Sequence, residues 1–308
     1  MYKVFIDGKE GTTGLQIYER LEKRADIELL LLPEEKRKDL SARKEMINKA
    51  DVVFLCLPDA AARESVSLCE NPKTKIIDAS TAHRTADGWA YGFPELSPEF
   101  KAAIASSNRI ANPGCHASGF IALVYPLVKS GLVPADYPFV AHSITGYSGG
   151  GKKMIAEYES AERSTLLDSP RQYGLTLTHK HLPEMTKVCA LTSAPIFNPI
   201  VGDFYSGMCV TVPLFTKLTG KNLTPNSLKE FYTEYYKGAK FLSVGDSENG
   251  FLAANVLSGT NKMELFIGGN EEQILLSARF DNLGKGASGA AVQNMNVALG
   301  LEEDAYLN

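Results

Sequence analysis

The sequence predicts an α/β domain followed by an α+β domain, and three observations support this prediction. In the first third of the chain, short apolar runs alternate with helical patterns, which is typical of βαβ units and a parallel sheet. Beyond about residue 139, strand patterns outnumber helical ones, which favours a mixed or antiparallel sheet. A length of 308 residues suits two domains at roughly 150 residues each.

Four apolar runs and three helical patterns form the alternation in the first third. Leu15, Tyr18 and Leu21 recur at helical spacing and predict the first helix. Ser41 can cap a second helix that reaches residue 49, and residues 60–69 predict a third. Strands are expected at 2–6, 27–32, 52–57 and 75–79.

The rest of the chain has more strands and a long polar region. Residues 146–182 form this polar, glycine-containing region. Helices are expected at 117–130, 227–237 and 286–300, and strands at 139–145, 208–215, 263–267 and 274–280.

Composition argues against several classes of protein. A formal net charge of −4 provides no basic field for a nucleic-acid backbone. No apolar run approaches the roughly 20 residues of a transmembrane helix, and the first residues lack a signal-peptide pattern. The five cysteines are widely spaced without a CxxC pair, which argues against disulfides and structural zinc. We therefore expect a cytoplasmic protein with no metal, membrane or nucleic-acid partner.

A GxxGxxG loop lies between the first predicted strand and the first predicted helix. It contains Gly8, Gly11, Thr12, Thr13 and Gly14. Glycines allow the backbone to approach a pyrophosphate, and the helix N-terminus offers free N–H groups and a favourable dipole. The spacing departs from the usual GxGxxG, and an ordinary turn is the alternative, but the position favours dinucleotide binding.

A basic cluster at the end of the second predicted strand indicates which dinucleotide binds. An acidic residue here usually holds the ribose hydroxyls of NAD, whereas a cation accommodates the 2′-phosphate of NADP. Arg37 and Lys38 are the expected contacts to that phosphate, although Glu34 and Glu35 precede them. The cluster favours NADP, and a solvated charged loop is the alternative.

Cys115 lies in a turn, Asn-Pro-Gly-Cys-His, immediately before a predicted helix. A thiol at a helix N-terminus experiences a positive potential that lowers its pKa and favours the thiolate. The alternative is a small buried hydrophobe, which suits Cys56 in its apolar run better than it suits Cys115. We therefore predict that Cys115 is a nucleophile.

A Thr-His-Lys-His-Leu-Pro-Glu segment could supply the acid or base that such a nucleophile needs. His181 is the predicted catalytic histidine, and Glu184 could hydrogen-bond back to a preceding histidine because Pro183 suits a first helical turn. Alternate histidines can also bind a metal, but no further cluster completes a tetrahedral set.

With these features together, the sequence resembles the shorter form of the N-acetyl-γ-glutamyl-phosphate reductase family of arginine biosynthesis. His-Ala-Ser follows Cys115 where the longer form usually has Tyr-Pro-Thr, and Lys152 stands where that form usually has Arg; both match the shorter form's own pattern. The resemblance covers nearly the whole chain and rests on segments 8–14, 78–84, 91–96, 112–115, 146–152, 179–184 and 281–287.

The family is similar in fold and mechanism to aspartate-semialdehyde dehydrogenase and phosphorylating glyceraldehyde-3-phosphate dehydrogenase. The resemblance implies a Rossmann NADP-binding domain at 1–114, completed by 286–308, and a glyceraldehyde-3-phosphate dehydrogenase-like catalytic domain at 115–285. It also implies an acyl-phosphate substrate, reduced by NADPH through a Cys115 thioester, and a homodimer or homotetramer.

Further site residues follow from the matched motifs. Ser80 and Asn282 are expected to bind the cofactor. Arg84 could hold phosphate or carboxylate, or could be a structural ion-pair partner. The remaining expected substrate contacts are Ser148, Lys152 and His179, whereas His83, His116 and His142 are expected to be structural.

Three alternatives remain open from the residues. The nearest is a reductase of aspartyl or aminoadipyl phosphate on the same fold. A regulator that senses NADP(H) would need neither Cys115 nor His181. A thiol hydrolase would leave the glycine loop and the basic cluster without a purpose.

Overall fold

The structure is a computed structural model that describes residues 1–9, 11–247 and 249–307. Glu10, within the predicted glycine loop, and Asn308, the last residue of the predicted first domain, lie outside the described residues. The chain divides into two compact units, residues 1–113 with 287–308, and residues 114–286.

Strands and helices alternate along most of the chain. In chain order the elements are β1 Tyr2–Asp7, α1 Thr12–Leu21, β2 Ile27–Leu30, α2 Leu40–Lys49, β3 Val52–Leu55, α3 Asp59–Leu68, β4 Lys75–Asp78, β5 Ala90–Tyr91, α4 Pro98–Ser106, β6 Arg109–Ala111, α5 Cys115–Lys129, β7 Val140–Gly146, α6 Gly151–Glu159, β8 Arg171–Gln172, α7 Leu182–Val188, β9 Ile196–Gly202, β10 Met208–Phe215, α8 Pro225–Tyr235, β11 Leu242–Val244, β12 Met263–Gly269, β13 Gln273–Phe280 and α9 Gly289–Ala298.

The first unit is built on a parallel six-stranded sheet in the order β2-β1-β3-β4-β6-β5. All four residues of β3 are buried, as expected for a central parallel strand covered on both faces. Because β2 and β3 lie on opposite sides of β1, the chain changes direction in the sheet at the carboxyl end of β1. Ligands of open α/β sheets bind at such a switch point.

The C-terminal segment completes the first unit. Helix α9 packs against α1, α4 and β4, and all ten of its residues are buried. The predicted helix at 286–300 was too long at both ends, because residues 284–288 form a π-helical turn and α9 ends at Ala298. Helix α9 buries amide side chains instead of an apolar face. The side-chain amide of Asn294 donates to the carbonyl of Gly92 at 2.9 Å, and a Cβ on Gly92 would lie 2.3 Å from that amide nitrogen.

The second unit is built on a mixed seven-stranded sheet in the order β11-β12-β13-β10-β7-β9-β8. Helix α5 packs against β10 and β13. Gly119 permits this close packing, because a Cβ there would lie 2.5 Å from Cγ2 of Val210 and 2.8 Å from Cε1 of Phe280. The strand-rich second unit agrees with the predicted α+β class.

Several elements of the second unit were not predicted. The polar region 146–182 contains helix α6, which was missed because only Tyr158 of its nine residues is buried and little apolar periodicity results. Strand β9 was missed because Asn198 and Pro199 interrupt its apolar run, yet it pairs in parallel with β7 over seven residues. In the described part of the chain, no helix combines the length and apolar character needed to cross a membrane.

Candidate active site

The glycine loop lies between β1 and α1, at the switch point of the first sheet. Gly8 has φ +89°, and a Cβ on it would lie 2.4 Å from the carbonyl oxygen of Cys56. A Cβ on Gly14 would lie 2.4 Å from the carbonyl oxygen of Gly8. The loop therefore packs closely against the end of β3 and the first turn of α1. Gly11 is the N-cap of α1 and has no side chain to bond the helix, so Thr12 and Thr13 present the first helical N–H groups.

A cavity of about 730 Å³ adjoins this loop in the first unit. Leu29 to Leu32 form an apolar wall, and Arg37 and Lys38 form a basic rim. Arg37 is held in an exposed ion pair with Glu34 at 2.7 Å. The structure therefore brings the predicted glycine loop and the predicted basic cluster to one cavity.

Arg43 also lines this cavity and was not predicted as part of it. Its buried guanidinium donates to Asp7 Oδ2 at 3.1 Å, to Glu64 Oε2 at 2.8 Å and to Ser65 Oγ at 2.6 Å. Two carboxylates therefore balance its charge, and its contact with Asp7 fixes the end of β1 just before the glycine loop. Only its helical position in a polar segment was visible in the sequence.

Ser80 and Arg84 lie in the segment that follows β4. The Ser80 hydroxyl donates to Asp78 Oδ2 at 2.8 Å and accepts from the Ala82 amide at 3.1 Å. Arg84 donates to the carbonyl oxygens of Asn112 and Ala79, both at 3.0 Å. These bonds order the turn after β4, and the predicted cofactor and substrate contacts of the two side chains stay predictions.

Cys115 is the first residue of α5 and is half-buried. The amide of its neighbour Gly114 donates to Glu184 Oε2 at 3.3 Å, which ties the start of α5 to helix α7. A Cβ on Gly286 would lie 2.9 Å from Cβ of Cys115. The glycine therefore leaves room for the cysteine where the chain turns toward the C-terminal segment.

His181 lies directly before α7 and is buried. Its ring centroid is 4.7 Å from that of His179 and 5.6 Å from that of His116, and its amide donates to His179 Nδ1 at 3.2 Å. The buried Glu184 is on the first turn of the same helix. The second unit thus brings His179, His181 and Glu184 to the start of α5, where Cys115 lies.

His116 was expected to be structural, yet its ring lies within this histidine cluster. Its Nδ1 is 2.6 Å from Ser143 Oγ and its Nε2 is 2.7 Å from the Tyr173 hydroxyl. Burial, and secondarily the positive charges of His179 and Lys180, lower the pKa of His116 to about 3. Burial, followed by the negative charge of Cys115, raises the pKa of Tyr173. Sequence reasoning missed Tyr173 and Ser143, which no motif marks.

Ser148 and Asn282 lie together in the second unit. The Asn282 amide donates to Ser148 Oγ at 3.0 Å, and its carbonyl oxygen accepts from the Gly207 amide at 2.8 Å. Both side chains are buried, whereas Lys152 is exposed on the first turn of α6. Their predicted contacts to cofactor and substrate stay predictions.

The environments of the other cysteines differ from that of Cys115. Burial first, and then the carboxylates of Asp78 and Asp7, raise the pKa of Cys56 to about 12. Burial also raises the pKa of Cys189 and of Cys209. Within residues 1–9, 11–247 and 249–307, no three His, Cys, Asp or Glu side chains converge as a metal site would require.

Comparison with known proteins relates the whole chain to one enzyme family. The model of the semialdehyde dehydrogenase NAD binding domain matches residues 3–104, and that of the semialdehyde dehydrogenase dimerisation domain matches residues 115–282. N-acetyl-gamma-glutamyl-phosphate reductase 2 of Nostoc sp. is 46% identical over 99% of both chains. The N-acetyl-gamma-glutamyl-phosphate reductase of Mesorhizobium japonicum is 48% identical over 97% of this chain and 99% of the relative.

Solved structures share the fold at lower identity. Aspartate semialdehyde dehydrogenase II of Vibrio cholerae, complexed with ASA, superposes with a TM-score of 0.73 at 17% identity, over 97% of this chain and 98% of that one. Aspartate semialdehyde dehydrogenase of Candida albicans, solved with NADP, gives a TM-score of 0.72 at 15% identity, over 97% and 99% of the two chains. These likenesses confirm the predicted fold class.

Proposed function

Because this chain belongs to the N-acetyl-γ-glutamyl-phosphate reductase family, we propose that it reduces N-acetyl-γ-glutamyl phosphate to N-acetylglutamate 5-semialdehyde and phosphate. The reaction is a step of arginine biosynthesis and uses NADPH. The observation that carries the proposal is the position of Cys115 at the start of α5, beside the buried His181 and Glu184 and the half-buried His179.

The first unit fits NADPH in shape and charge. A cradle that a Cβ would fill at Gly8 and Gly14 suits the pyrophosphate, with the first N–H groups of α1 as donors. The adjoining cavity offers leucines for the adenine, and Arg37 and Lys38 for the 2′-phosphate. When bound, NADPH supplies the hydride.

Covalent attack by Cys115 is the first step. The thiolate sulfur bonds to the acyl carbon, the bond from that carbon to the phosphate oxygen breaks, and phosphate leaves with the electron pair. The N–H groups and dipole of the 15-residue helix α5 favour the negative sulfur. The resulting thioester divides one difficult reduction into two easier steps.

His181 moves the protons in the second step. As the thioester carbonyl is reduced, His181 donates a proton to the developing oxyanion and a thiohemiacetal forms on Cys115. His181 then takes the hydroxyl proton back, the carbon–sulfur bond breaks, and the aldehyde leaves the regenerated thiolate. Proton transfer of this kind contributes about 10²–10⁴-fold to a rate. Glu184 accepts a hydrogen bond from the Gly114 amide and so orients the start of α7 toward the residue before Cys115.

Cations and hydroxyls hold the two anionic ends of the substrate. We assign this role to Arg84, Lys152, Ser148 and His179, and we assign Ser80 and Asn282 to the cofactor. Arg84 is supported by its position after β4, at the carboxyl edge of the first sheet. Ser148 and Asn282 are supported by their mutual hydrogen bond.

The second unit also supports self-association as a homodimer or homotetramer. One face of its sheet carries Ile144, Ile196, Phe215 and Leu275, and the strand register places all four on the same side. Their exposed fractions lie between 42% and 55%. An apolar sheet face of this kind is typical of a protein interface. A cytoplasmic location is supported by the five cysteines, which form no disulfide among the described residues and suit a reducing compartment.

The test is the reverse reaction, in which N-acetylglutamate semialdehyde reduces NADP⁺, phosphate accepts the acyl group, and NADPH absorbance is recorded. We expect turnover with this aldehyde and at least about 10³-fold slower turnover with the Cys115→Ala variant, because the covalent route is lost while NADPH affinity stays near that of the wild type. Cys69→Ala, which alters a half-buried cysteine of the other unit, is the matched control. Exclusive turnover of aspartate semialdehyde or of the aminoadipate homologue would refute the substrate, and an active Cys115→Ala variant would refute the nucleophile.

A further inference from the structure

A buried arginine and two carboxylates form an ion cluster in the wall of the cavity of the first unit. Arg43 comes from α2, Asp7 from the end of β1 and Glu64 from α3, and all three line the cavity. The side chains of Arg43 and Asp7 are 7% and 5% exposed, whereas that of Glu64 is 47% exposed, so water screens the charge of Glu64 but not that of Asp7. The proposed mechanism uses none of the three.

Three hydrogen bonds converge on a single oxygen of Asp7. Arg43 donates to Oδ2 through Nη2 at 3.1 Å and through Nε at 3.2 Å, and the fully buried Ser65 hydroxyl donates to the same atom at 2.7 Å. This arrangement is that of an ionised carboxylate with its guanidinium counter-ion.

The carboxylate of Asp7 lies directly before the glycine loop. Asp7 precedes Gly8 in the chain, and the carbonyl of Gly8 accepts from the amide of Gly11, the N-cap of α1, at 3.0 Å. Standard backbone dimensions then place the Cα of Asp7 within about 9 Å of the Gly11 amide. Charges separated by about a Debye length, roughly 8–10 Å, still interact at physiological salt, and buried charges are screened less.

The cavity wall has little positive charge to spare. Among the described residues that line it, the cations are Lys9, Arg37, Lys38 and Arg43, and the carboxylates are Asp7, Glu34 and Glu64. NADPH brings further negative charge on its pyrophosphate and its 2′-phosphate. Without Arg43, the carboxylate of Asp7 would be left unpaired beside these phosphates, and like charges repel strongly in a partly buried site.

We propose that Arg43 is a positioning residue which masks the negative charge of Asp7 and so allows the glycine loop to accept the pyrophosphate of the cofactor. A neutral donor could satisfy the hydrogen bonds of Asp7 but would leave its charge unmasked. The proposal rests on the proposed position of NADPH at this loop. Because both nicotinamide cofactors contain the pyrophosphate, the effect of Arg43 extends to NADH, unlike that of Arg37 and Lys38.

Cofactor affinity, measured without turnover, tests this proposal. The Kd values of NADPH and NADH are determined on the full chain by isothermal titration calorimetry, in the absence of aldehyde and phosphate. Arg43→Gln keeps an amide donor for Asp7 but removes the charge, and it is expected to raise both Kd values at least about tenfold. Adding Asp7→Asn to Arg43→Gln removes the repelling carboxylate, and is expected to return both Kd values to within about threefold of those of the wild type.

Two further variants separate the charge of Asp7 from the stability of the unit. Asp7→Asn alone is expected to change either Kd by less than about threefold, because its amide oxygen can still accept from Ser65 and Arg43. Arg24→Gln is the matched control, since Arg24 is a buried arginine of the same unit that pairs with Asp26 at 2.7 Å and is not among the residues that line the cavity. This control should lower thermal stability, because a buried ion pair is broken, without changing either Kd.

The outcomes separate this proposal from the proposed function. Unchanged affinity of Arg43→Gln, or a loss that Asp7→Asn does not reverse, would overturn the masking role. A loss confined to NADPH would overturn it as well, because Arg43 would then contact the 2′-phosphate directly. If the wild type itself does not bind NADPH, the proposed function fails instead.

Thermal unfolding establishes that each variant is folded. If Arg43→Gln does not fold, the double variant with Asp7→Asn still decides, because it buries no unpaired charge. Affinity near that of the wild type supports masking, whereas weak binding of both cofactors would show that Arg43 contributes more than the neutralisation of Asp7, and the proposal would fall.

Discussion

At the residue scale, position and surroundings separate side chains of the same type. Both Cys115 and Cys56 are half-buried, but Cys115 begins a helix, whereas desolvation and the carboxylates of Asp78 and Asp7 raise the pKa of the Cys56 thiol to about 12. The two side chains are chemically identical, and their surroundings alone differ. Because of these surroundings, only Cys115 is suited to act as a thiolate near neutral pH. The neighbours of each cysteine in sequence already indicated this difference.

Cofactor choice also belongs to the residue scale. Replacing Arg37 and Lys38 together with Ala is expected to raise KM for NADPH about 10–100-fold, because charge-assisted contacts to the 2′-phosphate are lost. KM for NADH, which lacks that phosphate, should change little. Steady-state kinetics with both cofactors provide the measurement, and Lys36→Ala, an exposed neighbour outside the cavity, is the control. Equal losses for the two cofactors would show that neither side chain selects NADP.

At the element scale, the position of α5 depends on how closely it approaches the sheet. The helix begins at Cys115 and carries His116, so a displacement of the helix would move both relative to α7 and β7. Gly119 is a point of close approach, against Val210 and Phe280. A small residue in the middle of this helix therefore supports the geometry of the site.

Gly119→Ala is expected to lower the free energy of unfolding by about 1–2 kcal/mol. The overpacking cost of about 1–3 kcal/mol exceeds the gain of up to about 1 kcal/mol in helix propensity. Denaturant unfolding measures the change, and Gly268→Ala, where a Cβ would meet nothing within 4 Å, is the control. An unchanged or raised stability for Gly119→Ala would show that α5 can shift away from the sheet at little cost.

At the scale of the whole molecule, the open face of the second sheet is the feature that points beyond one chain. Its four exposed apolar side chains lie on neighbouring strands, opposite the face that packs against α5. A face of this character is costly to leave in water. The matched family model is itself described as a dimerisation domain.

Ile144→Glu combined with Leu275→Glu is expected to shift the protein to monomers, because the carboxylates would be desolvated in the interface. Light scattering after size-exclusion chromatography measures the mass. Leu166→Glu, which alters an exposed leucine away from the sheet, should leave the mass unchanged. If the double variant keeps the mass of the wild type, another surface holds the subunits together.

Local sequence was sufficient to predict the fold class and to mark the glycine loop, the basic cluster, Cys115 and the histidine segment as candidate site residues. Each is encoded within a few consecutive residues, as a period, a turn or a motif. The predicted strands at 2–6, 208–215 and 274–280 correspond to β1, β10 and β13 for the same reason. The confirmed family membership rests on such motifs along the chain.

Tertiary structure alone decided the features that depend on residues far apart in the chain. The packing of α9 against α1 and β4, the pairing of β9 with β7, and the place of Arg43 beside the cavity all belong to this group. His116 is the clearest case, since its partners lie 27 and 57 residues away. Long-range hydrogen bonds produce no periodic pattern in the sequence. A polar residue finds such a partner only after the chain has folded, because the fold brings the two residues together.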